Sequence, residues 1–105
     1  MFRYRPNKEY SEEDFVGYEL SEKDVQKLIK YLNDSNITVF EMVYNEEDNN
    51  WFLKKNGFEL SGKIFRTQRI ARRKSRRVAR NCVPSVLLMY YRKEGFRYWH
   101  YYPED

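Results

Sequence analysis

The sequence has little of what holds many small proteins together by covalent or metal links. Its 105 residues include one cysteine, Cys82, and one histidine, His100. A lone cysteine forms no intramolecular disulfide, and one Cys with one His falls short of the four ligands of a structural zinc site. We therefore predict no metal site and a fold that depends on its apolar core.

Glycine, proline and long apolar runs are also scarce. With four Gly and three Pro, the chain has no low-complexity linker, and its length suits a single domain over residues 1–105. No apolar run approaches the roughly 18 to 20 residues of a membrane span. We expect a cytoplasmic protein without membrane contact, whose 18% aromatic residues are enough to build an ordered core.

Acidic residues are missing from one long interval of the chain. Residues 60–93 carry 11 basic side chains and none that is acidic, whereas residues 1–59 carry 8 basic and 13 acidic ones. The field of such an interval has to be offset by counterions, by the acidic first half of the chain or by an anionic partner. We keep all three alternatives at this point.

The first half of the chain shows clear helix and strand patterns. Ser21 is a suitable N-cap, and the apolar side chains that follow it recur at helical spacing, which predicts an amphipathic helix over 22–33. The β-branched and aromatic run over 37–44 predicts a strand.

The residues that follow this strand predict a short helix and a second strand. The polar and acidic residues 45–48 can open a helix over 47–56, and Gly57 can close it in the left-handed conformation. Residues 58–66 alternate as a strand, with Phe58 anchored in the core and Phe58, Leu60 and Ile64 on one side.

The C-terminal residues predict a β-hairpin rich in rings. Two runs of strand type, 86–91 and 96–102, flank a turn ending at Gly95. Their rings either pair in the core or offer a platform on which bases stack, and His100 is expected to be half-buried. Together these elements predict an α+β fold with two helices and a mixed or antiparallel sheet of four to five strands.

Residues 52–59, Phe-Leu-Lys-Lys-Asn-Gly-Phe-Glu, resemble the C-terminal signature of the GNAT N-acetyltransferases, in which a helix precedes a Gly-Phe pair and the next strand. Residues 20–65 resemble the C-terminal half of that fold. The resemblance implies a truncated GNAT-like scaffold, and a degenerate acetyltransferase is kept as an alternative function.

The positions that bind acetyl-CoA in that family differ here. A glycine-rich loop before the helix matching 22–33 holds the pyrophosphate there, whereas this chain has Glu22 and Asp24 and no glycine at that place. The family's frequent Tyr general acid falls on Leu53, which cannot donate a proton. We therefore predict no cofactor and no catalytic residue.

The interval from Arg66 to Arg80 contains good helix formers and neither Gly nor Pro, which predicts a cationic helix. On such a helix the arginines at positions 66, 69, 73, 76 and 80 form one stripe, and the opposite side carries Ala71, Ser75, Val78 and Cys82. Repulsion among its charges leaves two alternatives open: residues 66–82 are ordered in the unbound protein, or they become ordered only on binding.

This interval resembles the arginine-rich RNA-binding motifs of viral regulatory proteins. Arginine outnumbers lysine, and guanidinium groups bind phosphates and guanine edges through paired hydrogen bonds. The sequence therefore predicts a non-enzymatic nucleic-acid-binding protein. The predicted contact residues are Arg66, Arg69, Arg72, Arg73, Lys74, Arg76, Arg77 and Arg80.

RNA is preferred to duplex DNA because no helix-turn-helix, zinc-finger or leucine-repeat pattern is visible. The alternative partner is an acidic protein surface, as expected of a protein-interaction module or a phage-type inhibitor. The sequence leaves the oligomeric state open.

Overall fold

A computed structural model describes residues 2–91 and 95–104 of the chain, with the backbone alone for residues 91 and 95–97. It contains two α-helices and one five-stranded mixed sheet, which confirms the predicted α+β class. The helices are α1 (Glu22–Leu32) and α2 (Gln68–Arg80), and a short 3₁₀ turn (Glu12–Phe15) precedes them. The strands are β1 (Thr38–Asn45), β2 (Asn50–Lys55), β3 (Phe58–Phe65), β4 (Ser85–Tyr91) and β5 (Gly95–Tyr102).

The sheet has the strand order β3-β2-β1-β4-β5 and is covered on both faces. β1 runs parallel to β4, whereas the pairs β1–β2, β2–β3 and β4–β5 are antiparallel. α1 packs on one face through Leu28 and Leu32, and the N-terminal segment covers the same face. α2 packs on the other face through Ala71 and Ala79. The two helices therefore lie on opposite sides of the sheet.

α1 and β1 confirm the elements predicted over 22–33 and 37–44. The Ser21 hydroxyl accepts a hydrogen bond from the Asp24 amide at 3.1 Å, and this N-cap fixes the start of α1. Val39 and Val43 of β1 share one core with the buried leucines of α1.

The N-terminal segment is attached to the α1 face through two polar side chains, Glu41 and Asn33. The Glu41 carboxylate is fully buried, and its Oε2 accepts hydrogen bonds from the Tyr90 hydroxyl at 2.5 Å and from the Tyr4 amide at 3.2 Å. Burial, together with this nearby carboxylate, raises the pKa of Tyr90 well above its usual value. The Asn33 side chain exchanges two hydrogen bonds with the Tyr10 backbone, at 2.6 and 2.9 Å.

The helix predicted over 47–56 is wrong, because these residues form a turn and strand β2. Trp51 and Leu53 both point into the core between the sheet and α2, called the α2-side core below. Side chains two positions apart share a face only in a strand. Asn56 and Gly57, with φ of 49° and 88°, form the two-residue turn of the β2–β3 hairpin. Residues 52–59 therefore form a hairpin where the resemblance to the GNAT family implies a helix.

The strand predicted over 58–66 is confirmed as β3, but the predicted burial of Phe58 is wrong. β3 is an edge strand, and Phe58 is 73% exposed. Phe58 pairs with Lys55 and Ile64 pairs with Phe52, so Phe58 and Ile64 lie on opposite faces instead of one. The cause is an irregularity in the β2–β3 register, in a region where Gly62 has a φ of 76°.

The predicted C-terminal hairpin is confirmed as β4 and β5, which pair from Ser85 with Tyr102 to Tyr91 with Gly95. Of its predicted turn over 92–95, residues 92–94 lie outside the described residues, and Gly95 is the first residue of β5. Neither helix in the described chain has the length and apolar composition needed to cross a bilayer.

Gly57 should be the least replaceable of the glycines with positive φ. A Cβ there would lie 2.8 Å from Cδ of Pro6, a rigid ring atom, whereas a Cβ at Gly62 would meet nothing within 4 Å. Both positions impose left-handed strain of roughly 1 to 3 kcal/mol on alanine. Urea denaturation should show a larger loss of unfolding free energy for Gly57→Ala than for Gly62→Ala, and equal losses would contradict the contact with Pro6.

Leu53 and Phe58 should differ sharply in their effect on stability, although they lie close together in sequence. Leu53→Ala empties a fully buried position and should cost about 2 to 5 kcal/mol. Phe58→Ala removes a mostly exposed ring and should change the unfolding free energy by less than about 0.5 kcal/mol. A large loss for Phe58→Ala in the same denaturation experiment would show that Phe58 belongs to the core.

Candidate nucleic-acid interface

The cationic interval forms a regular helix, as predicted. Its N-cap is Thr67, whose hydroxyl accepts a hydrogen bond from the Ile70 amide at 3.2 Å. The first turn contains no acidic residue, whereas Arg77 and Arg80 in the last turn suit the negative end of the helix dipole.

α2 contacts the sheet through small residues. Ala71, Ser75 and Ala79 are fully buried, which confirms the predicted small face and adds Ala79 to it. The Ser85 hydroxyl donates a hydrogen bond to the Ala79 carbonyl at 2.7 Å and links the helix to β4. The larger side chains of this core come from the strands, for example Phe40, Met42, Leu53 and Leu87.

Five of the eight predicted contact residues line one groove of about 710 Å³ between α2 and β5. All five are exposed except Arg72, which is half-buried. Two residues of β5, His100 and Tyr102, line the same groove. The five arginines are Arg69, Arg72, Arg73, Arg76 and Arg80.

The other three predicted residues do not line this groove. Lys74 and Arg77 are exposed on α2 but are not among its lining residues. Arg66 precedes the N-cap Thr67, so it lies outside α2 and its arginine stripe, and it lines a separate cavity of about 380 Å³ with Tyr44 and Trp51. The predicted set therefore divides into a groove set of five arginines and three cations outside it.

The groove arginines form no salt bridge with the described acidic residues. In the described part of the chain, no side chain of the predicted set forms a salt bridge, and the one such bridge joins Lys8 to Asp14. The acidic residues at the start of α1 lie on the opposite side of the sheet. Among the described residues, direct ion pairing with the acidic first half therefore does not offset the charges of the predicted set.

The second wall of the groove consists of rings on β5. Tyr98, His100 and Tyr102 pair with Met89, Leu87 and Ser85, and the side chains of Leu87 and Met89 belong to the α2-side core. The three rings therefore lie on the α2 face of the sheet. A cavity of about 300 Å³ shares Arg72, Arg76 and His100 with the groove and adds Tyr98.

These rings are accessible because β5 is an edge strand. Tyr98 is 50% exposed, and His100 is exposed as well, so its predicted half-burial is wrong. The ring centroids of His100 and Tyr102 are 4.4 Å apart. Burial raises the pKa of Tyr102, and the charges of Arg76 and Arg80 act in the opposite direction, so this phenol lies in the field of the groove arginines.

The opposite face of β5 has a structural role. Tyr101 stacks on Tyr31 of α1 at a centroid distance of 4.1 Å, and Trp99 lies 5.9 Å from the same ring. The hairpin therefore has packed rings on its α1 face and accessible rings on its α2 face. The sequence prediction did not include the β5 rings among the contact residues, because their side of the sheet depends on the strand register.

The described residues contain no group of three or more His, Cys, Asp or Glu side chains that could hold a metal ion. No family model, curated protein or solved structure matches the chain in the three comparisons made with known proteins. The resemblances to the GNAT family and to arginine-rich motifs stay predictions. The groove is the feature of the described structure that points to a function.

Ser75 offers a test of how closely α2 has to approach the sheet. Its hydroxyl is buried and has no hydrogen-bond partner among the described residues, so Ser75→Ala should leave stability unchanged or raise it by up to about 1 kcal/mol. Ser75→Leu should cost at least about 1 to 3 kcal/mol, because it forces extra volume between helix and strands. Thermal denaturation measures both, and a tolerated leucine would show that the helix does not need this close packing.

Proposed function

We propose that this protein is a non-enzymatic nucleic-acid-binding protein that prefers RNA to duplex DNA. One observation carries the proposal: five arginines line a single groove, and none of them has a carboxylate partner in the described structure. A cytoplasmic location is part of the same proposal.

The chemistry of the groove suits phosphate. A guanidinium group offers a planar fork of donors that matches two phosphate oxygens, and it is less strongly hydrated than the ammonium group of lysine. Lys74 is the single lysine of α2 and lies outside the groove lining. Arginine therefore lines the groove to the exclusion of lysine on this helix, which favours paired hydrogen bonds to phosphate over a diffuse positive field.

The position of α2 supports RNA over duplex DNA. A helix that reads duplex DNA enters the major groove and places its side chains on base edges. Here Arg72 and Arg76 line the space beside β5, and the rings of that strand form the other wall. The groove therefore suits a strand lying along the helix better than a duplex into which the helix inserts.

The salt dependence of RNA affinity tests this proposal. If five arginines contact phosphates, the logarithm of the affinity should fall with the logarithm of salt concentration with a slope of about −3.5. Arg73→Ala with Arg76→Ala should weaken binding and make the slope shallower by about 1.4. The measurement is fluorescence anisotropy with a labelled RNA over a series of salt concentrations.

The matched control is Lys74→Ala with Arg77→Ala, which removes the same charge from the same helix outside the groove. Both this pair and the pair Lys27→Ala with Lys30→Ala on α1 should change the salt slope only slightly. The expected change is less than half of that for Arg73→Ala with Arg76→Ala. Equal effects of the two α2 pairs would contradict a phosphate site in the groove. A dissociation constant no better than about 0.1 mM at about 0.15 M salt would exclude specific nucleic-acid binding and favour an acidic protein as the partner.

A further inference from the structure

The two walls of the groove differ in chemistry. One wall is the arginine side of α2, and the other is the row of rings Tyr98, His100 and Tyr102 on β5. We infer that the groove holds single-stranded RNA, with phosphates on the arginines and bases stacked on the rings. This inference rests on the proposed function and names the form of nucleic acid that the groove takes.

The rings form a regular row because they occupy every second position of a strand. Their backbone positions follow each other at roughly 6.7 Å along β5 and extend over about 13 Å, while the ring centroids of His100 and Tyr102 lie 4.4 Å apart. Tyr98 is half exposed, and the tilted pair of His100 and Tyr102 continues the row. β5 ends the strand order of the described sheet, so bases can reach the row from the side.

α2 provides a phosphate track that is longer than the ring row. Its 13 residues extend over about 20 Å, and the groove arginines recur along it from Arg69 to Arg80. At about 3.4 Å per stacked nucleotide, this length corresponds to about six nucleotides. A positively charged track beside aromatic side chains is the arrangement that binds single strands with little sequence preference.

A single strand is the one form of nucleic acid that uses both walls. In a duplex the bases already stack on each other, so the β5 rings would face only sugars and phosphates. An acidic peptide would pair with the arginines but would offer no nucleobases to stack on the rings. Because the ring row and the charged track border the same groove, the structure favours unpaired nucleotides over both.

The ring wall also offers polar groups that can distinguish RNA from DNA. The imidazole of His100 and the phenol of Tyr102 have donors and acceptors within the groove. A 2′-hydroxyl is both a donor and an acceptor, and it is the group by which proteins select RNA. We therefore expect RNA to bind more tightly than single-stranded DNA of the same sequence.

The test separates stacking from phosphate contact by removing rings while every arginine and lysine stays in place. Tyr98→Leu and His100→Leu remove rings from exposed positions, and each should weaken binding to a single-stranded RNA of about twelve nucleotides by about 5- to 150-fold. The salt slope should stay unchanged in these variants, because no phosphate contact is lost. Tyr98→Phe keeps the ring and should stay within about twofold of the parent protein.

Phe58→Leu is the matched control away from the groove. It makes the same kind of change, from ring to leucine, at an exposed position on the opposite edge strand, and it should leave RNA affinity unchanged. Circular dichroism and thermal denaturation of each variant check whether its fold is retained. Three further probes, each at about 0.15 M salt, are the same RNA annealed to its complement, DNA of the same sequence and a poly-glutamate peptide.

The expected result is weakened RNA binding by the two leucine variants on β5, at least tenfold weaker binding of the annealed duplex and weaker binding of DNA and of the peptide. If the arginine variants weaken binding and the ring variants do not, stacking is overturned while the proposed function holds. Equal affinity for the single-stranded RNA and its annealed duplex also overturns stacking. Equal affinity for the RNA and for DNA of the same sequence overturns the selection of RNA. If none of the nucleic acids binds, both the inference and the proposed function fail.

Discussion

The close contact between α2 and the sheet is the constraint on which the rest of the structure depends. α2 carries seven cationic side chains and no acidic one, so repulsion opposes its formation as an isolated helix. Three small residues, Ala71, Ser75 and Ala79, bring its backbone against strands that provide the large apolar side chains. The helix is therefore stabilised mainly by packing and the hydrogen bond from Ser85, and the same packing fixes the direction in which the arginines point.

The strand order of the sheet places β5 as the second wall of the groove. α2 connects β3 at one edge of the sheet with β4, and β4 leads back through a hairpin to β5 at the other edge. Because β5 is the last strand beyond β4, its α2-facing rings extend past the helix and border the groove. Its opposite face packs on Tyr31, which fixes the strand from behind. One strand thus combines an anchoring face with a face that is open to a ligand.

The sequence predicted the elements that its local patterns determine. The cap and apolar spacing of α1, the β-branched run of β1 and the small face of α2 each specify an element without reference to the rest of the chain. The prediction of a helix over 47–56 failed because Asn and Glu residues suit both a turn and a helix start. Pairing with β1 made the second part of this segment a strand. The alternation of Trp51 and Leu53 was the available signal for a strand.

Burial and side-chain direction were less accessible from sequence, because they depend on the position of a strand in the sheet. Phe58 has the composition of a core residue but lies on an edge strand, and His100 is exposed for the same reason. The arginines were identified from composition alone, since charge without compensation is visible in any fold. Their division into groove and non-groove residues required the packing of α2 against its neighbours.

The place of α2 in the chain links ligand binding to folding. This helix connects β3 with β4, and β4 forms the parallel pair with β1, so the arginines are carried by an element joined directly to the centre of the sheet. Any polyanion that binds the docked helix therefore stabilises the whole domain by mass action, and it also relieves the repulsion within the helix. A multivalent anion bound to these arginines would therefore raise the melting temperature of the whole domain, although its contacts lie on one helix and one edge strand.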